Sequence, residues 1–111
     1  MSRADLEDAF ASGDGEKIGS ALLSAFYTQE PGQIERWCLK FASHQEPLVR
    51  QLAIEILGNT AALRRSEVDL VNYRKMAEQL CRDPDEGVRM AARDALDDVL
   101  RATKLKEGTQ S

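Results

Sequence analysis

The chain has 111 residues, 42% of them apolar and 5% aromatic, with a net charge of −4 and a sequence pI near 5.0. A chain of this length forms one domain that buries roughly two thirds of its unfolded surface without a metal or disulfide staple, and its few aromatic residues argue against a β-sandwich. Net negative charge argues against a general nucleic-acid or anionic-membrane binder.

Charge is uneven along the chain. Residues 1–31 carry six acids against Arg3 and Lys17, whereas residues 32–66 carry Arg36, Lys40, Arg50, Arg64 and Arg65 against three acids, the only basic segment. The start, Met1-Ser2-Arg3-Ala4-Asp5, lacks the apolar core of roughly 7–15 residues that a secretory signal needs, and no stretch approaches a membrane span of about 18 apolar residues. A cytoplasmic protein with no membrane partner is the expectation.

Leu6 and Phe10 mark a first helix, and Ile18, Leu22 and Phe26 a second, separated by Ser12-Gly13-Asp14-Gly15, a left-handed stop followed by a helix-starting aspartate. Gln29-Glu30-Pro31-Gly32 then opens a third helix over about 31–43, because proline favours the first helical turn. The fourth is predicted from Pro47 to Gly58-Asn59, where a left-handed closing residue ends it. After the longest link, Ser66-Glu67-Val68-Asp69 reads as a capping box that opens helix five a turn earlier than its counterpart. Helix six follows Asp83-Pro84-Asp85 and runs to about Lys104, which makes 1–105 the domain and 106–111 a polar tail.

Two of these hairpins repeat. Ile34, Trp37, Cys38, Phe41 and Ala42 recur 39 residues later as Tyr73, Met76, Ala77, Leu80 and Cys81, and Val49, Leu52, Ala53, Ile56 and Leu57 recur as Val88, Ala91, Ala92, Ala95 and Leu96. The hairpin at 6–26 does not fit this register, as expected of a terminal unit with solvent on one side. A repeated helical hairpin predicts an all-α fold, a short right-handed α-solenoid of about three hairpins and six helices. Ala91, Ala92 and Ala95 predict close approach of a neighbouring helix.

The segment Asp83-Pro84-Asp85-Glu86-Gly87-Val88-Arg89-Met90-Ala91-Ala92-Arg93-Asp94-Ala95-Leu96 resembles a HEAT repeat, in particular the HEAT-like units of phycobilisome lyases and related bacterial proteins. His44-Gln45-Glu46-Pro47-Leu48-Val49-Arg50, running on to Leu57-Gly58, is a looser copy. The resemblance implies that Asp83 and Arg89 form a structural turn pair within and between repeats, capping the second helix. His44 replaces the aspartate in the earlier copy, which leaves Arg50 either to face Asp83 of the next repeat or to bind something else.

In HEAT-like solenoids the second helix of each repeat lines the face where partners dock. Turning away from the apolar stripe by 100° per residue puts Gln51, Ile54, Glu55 and Gly58 of helix four on that face, with Met90, Arg93, Asp94, Asp97 and Arg101 of helix six. This mixed-charge ridge, with Ile54 and Met90 as its apolar members, suits a protein partner. The rival surface is basic, Arg36 and Lys40 beside Trp37 together with Arg64 and Arg65, and would suit nucleic acid.

No phosphate-binding glycine loop, His-x-x-x-His pair or Cys/His cluster occurs, and the lone His44 has no catalytic companions. Cys38 and Cys81 lie on apolar stripes and read as small buried hydrophobes. With no catalytic residue, metal or cofactor indicated, the expectation is a non-enzymatic protein-binding adaptor, regulatory subunit or immunity-type inhibitor. The alternatives are a nucleic-acid-binding HEAT-like protein and an accessory subunit of a lyase or cofactor-handling enzyme. The chain is expected to be a monomer or a weak homo-oligomer, and Leu6, Phe10, Val99 and Leu100 would mark end-to-end stacking if exposed.

Overall fold

Ser2, Asp14 and Asp69 each start a helix by turning a side-chain oxygen onto backbone N–H groups that the first turn leaves unpaired. The computed structural model describes residues 2–64 and 67–108, with side chains as far as Arg101. Helix α1 is Arg3–Ala11, α2 Gly15–Thr28, α3 Pro31–Phe41, α4 Pro47–Leu63, α5 Leu70–Leu80 and α6 Glu86–Gly108, and no strand occurs among the described residues. Gly13, at φ +73°, makes the left-handed turn between α1 and α2.

Helix α5 starts 39 residues after α3, and α6 starts 39 residues after α4, so the apolar repeat is also a repeat of helix starts. Three boundaries differ from the sequence reading. Helix α5 does not open a turn early: the Asp69 carboxylate accepts from Val71 N and Asn72 N, while its own N–H donates to Glu35 of α3 at 2.7 Å. Ser66 of the proposed capping box lies outside the described residues, as do the tail positions 109–111. Helix α6 continues past Lys104 to Gly108.

Helix α4 does not stop at Gly58 either. A Cβ there would stand 2.7 Å from the Tyr73 hydroxyl, so the glycine serves a close approach of α5 rather than a helix stop. Gly58→Ala should therefore lower the melting temperature. Overpacking of about 1–3 kcal/mol outweighs a helix-propensity gain of about 1 kcal/mol. In a Tyr73→Phe background the nearest atom would be the ring carbon at 3.5 Å, and the same substitution should become neutral or stabilising. Thermal melts of the four proteins in that cycle check it. Equal costs in both backgrounds would mean that the hydroxyl is not the obstacle.

Helices pair in sequence, α1 with α2, α3 with α4 and α5 with α6, and α4 lies between α2 and α6. The molecule measures 49 × 31 × 15 Å. None of the residues in the ten repeated columns is exposed, and Leu6, Leu22, Cys38, Ala53, Leu57, Ala77, Val88 and Ala92 are fully buried. Ala91 and Ala95 stand against α4 as their size suggests. Leu6, Phe10 and Val99 are buried, so of the four proposed markers of end-to-end stacking only Leu100 reaches solvent.

Candidate binding face around helix α4

The turns before α4 and α6 are built alike and then differ in one bond. Arg50 Nη1 donates to the carbonyls of His44 and Gln45 at 2.8 and 3.0 Å, and Arg89 Nη1 donates to those of Asp83 and Pro84 at 2.8 and 2.9 Å. In each turn a side chain accepts the N–H two residues on: His44 Nδ1 from Glu46, Asp83 Oδ1 from Asp85.

The difference is between repeats. Arg50 spans to Asp83 with two parallel bonds, Nε to Oδ2 at 2.7 Å and Nη2 to Oδ1 at 2.9 Å, and both side chains are largely buried. Those bonds hold the Asp83 carboxyl below the usual carboxylate range against the opposing effect of burial. Asp83 and Arg89 therefore do not form the ion pair that the resemblance implies, since the Asp83 carboxylate is taken by Arg50. Nor does Asp83 cap α6, because Asp85 Oδ2 accepts from Val88 N.

The predicted ridge is also corrected at its centre. Ile54 is fully buried, whereas Arg93, its counterpart one repeat later, is exposed. Helix α4 has α6 packed over this column, and α6 has no following unit among the described residues. Met90 is 58% exposed, and Glu55, Asp94, Asp97 and Arg101 are exposed as well. Gln51 is half-buried, packs against Gly87 and donates to Glu55 at 3.0 Å. Arg101 approaches Asp98 at 3.6 Å.

Helix α4 is flanked by two grooves. Toward α6, Gly58, Ala62, Ala91 and Ala95 form a floor of small residues over Ile54, rimmed by Glu55, Asn59, Asp94 and Asp98. Its volume is about 310 Å³, at the lower end of the roughly 300–1,000 Å³ typical of ligand pockets, a size for side chains rather than a large cofactor. On the other flank, Phe26, Tyr27, Ile34, Thr60, Leu63 and Arg64 line a groove between α4 and the α2–α3 link. Tyr27 and Leu63 are 80% and 74% exposed at its lip. Sequence reasoning missed this second groove, because Tyr27 directly follows the stripe residue Phe26 and Leu63 lies beyond the expected end of α4. The signal available was that both are large apolar residues off the stripe.

Trp37 is half-buried, its ring 4.8 Å from that of Phe10, with the Arg3 guanidinium 5.9 Å from its centroid. Arg36 donates to Gln33 and Arg64 approaches Glu67, while Lys40 lies over Phe41 and Arg65 lies outside the described residues. Both cysteines are free thiols, and burial pushes Cys38 up to about 12, which keeps it protonated and unreactive. Among the described residues no three His, Cys, Asp or Glu side chains cluster as a metal site, and no helix is long and apolar enough to cross a membrane. No protein-family model matches the chain, and no curated protein or solved structure matches it.

Proposed function

We propose that this chain is a short HEAT-like α-solenoid acting as a non-enzymatic, cytoplasmic protein-binding module, with the α4 face and its two grooves as the working surface. The observation that carries this reading is the set of large apolar side chains held in solvent beside those grooves, Tyr27 and Leu63 on one flank of α4 and Met90 on α6. Tyrosine and methionine are enriched where proteins bury one another, and rigid helices fix such anchors before binding, which lowers the ordering cost. The carboxylate rim of Glu55, Asp94 and Asp98 favours a partner segment that brings basic residues around an apolar side chain. The same rim would repel a phosphate backbone.

The test is capture on immobilised protein with mass-spectrometric identification, comparing the native chain with Tyr27→Asp, Met90→Asp and Arg36→Glu/Lys40→Glu. All four residues are exposed, so these variants should fold with stability within about 0.5 kcal/mol of the native protein. One protein should be held by the native chain and by the Arg36/Lys40 variant, and lost at least about tenfold by the Tyr27 and Met90 variants, a change of about 1.4 kcal/mol. Equal capture by all four would remove the α4 face. Retention of nucleic acid alone, falling steeply with salt, would replace the reading.

A further inference from the structure

The two ends of the helix stack are finished differently. At the first end, the groove between α1 and α2 is bordered by the charged residues Asp5, Asp8, Glu16 and Lys17, with Ala9, Ser12 and Ser20 between them. At the other end, Val71 and Leu100 are 61% and 39% exposed, and Leu96 is half-buried.

The repeat register says what that second end is shaped to meet. In the middle hairpin Arg50 reaches Asp83 and Ile54 lines the groove against α6, and Leu57 and Ala61, which continue that column at helical spacing, are buried as Ile54 is. The same column on α6 is Arg89, Arg93, Leu96, Leu100, at helical spacing. Arg89 also repeats the anchoring of Arg50. Its Nη1 is pinned to the two turn carbonyls, and no acceptor among the described residues reaches its Nε and Nη2. In Arg50 that same edge holds both oxygens of Asp83.

We propose that the α5–α6 end is a docking end for one more helical hairpin, carried by a protein partner, whose interhelix turn places an aspartate in the open fork of Arg89. A carboxylate fits because the planar guanidinium offers two parallel donors, and the Arg50–Asp83 rung provides the template for their use. Leu96 and Leu100, farther along α6, and Val71 on α5 supply the apolar surface of the same end. A second copy of this chain is a poor occupant. In its first turn Ser12 Oγ accepts from Asp14 N, the role that Asp83 Oδ1 plays toward Asp85, so a hydroxyl stands where the fork needs a carboxylate. This end is separate from the α4 grooves and rests on the stacking alone, so either surface can fail without the other.

The probe is the chain extended past its last residue by a second copy of its own residues 67–108, a hairpin that brings the aspartate turn. Melting temperatures are compared for Arg89→Ala and Arg89→Lys in the native and extended chains. In the extended chain Arg89→Ala should lower the melting temperature by roughly 5 °C more than in the native chain, the scale of a lost rung in a domain of this size. Arg89→Lys should show most of the same extra loss, because it keeps the charge and loses the fork. Equal shifts in both chains, or an added hairpin whose amides exchange as freely as an unfolded segment, would overturn the proposal. Sedimentation of the native chain should give a monomer at all concentrations. Mass growing with concentration, and lost in Arg89→Ala, would make the occupant a second copy and overturn the assignment to a different chain.

Discussion

Ile54→Asp should abolish cooperative folding at neutral pH. Ile54 is fully buried beneath the α4–α6 groove, and losing its side chain forfeits about 1.5–3 kcal/mol of burial. The one buried cation a turn away, Arg50, is already committed to Asp83 and the turn carbonyls, and confining an unpaired charge costs several kcal/mol more. Together these approach the whole stability of a small domain, roughly 5–15 kcal/mol. Arg93→Asp, one repeat later in the same column, should stay within about 0.5 kcal/mol of the native protein, because the position is exposed. Ile54→Ala should fall between them, at about 2–5 kcal/mol. Circular dichroism melts of the three variants check the series. A cooperative, native-like transition for Ile54→Asp would put the residue back on the surface.

Arg50→Ala should cost about 3–5 kcal/mol, the range for breaking a largely buried pair by removing one partner. It removes two bonds to Asp83 and two to the turn carbonyls, and strands a carboxylate whose side chain is only 7% exposed. Asp83→Asn should cost less, because an amide oxygen still accepts from Arg50. The pair also sets a pH dependence. Its hydrogen bonds to Arg50 hold the Asp83 carboxyl below the ordinary range, so its contribution is complete above the unfolded value of about 3.9. That contribution disappears as pH falls through the lower, folded value. The gap in urea midpoint between native protein and Arg50→Ala should therefore narrow from neutral pH to acid, leaving the share carried by the turn carbonyls. A constant gap between them across that range would mean that the bonds do not carry the stability.

Reading and structure agree most closely where a local signal had no competitor. Gly13 and Asp14 start α2, and Pro31 and Pro47 start α3 and α4, because φ preferences and capping act within a few residues. They part where a residue answers to a distant neighbour. Gly58 reads as a helix stop by the same rule, yet the Tyr73 hydroxyl beside it explains the glycine and α4 runs on. Nothing in the local pattern marks Glu35, yet it accepts the N–H of Asp69 at the start of α5. The candidate face was half legible. Met90 was found by turning away from the stripe, while Tyr27 and Leu63 were not, because one heptad-like stripe per helix hides apolar residues that lie off it.

By itself the sequence determined the helical class, the succession of hairpins and most of the stripe residues that form the core, since an apolar stripe at helical spacing has to be buried against a neighbouring helix. Only the tertiary structure decided which copy of a repeated position is covered. Ile54 and Arg93 share a column, as do Arg50 and Arg89, but α6 lies over the first of each pair and no described element lies over the second. Periodicity is a property of one helix and is the same in every copy. Burial, ion pairing and exposure depend on what stands across from it, and that changes from the middle of the stack to its end.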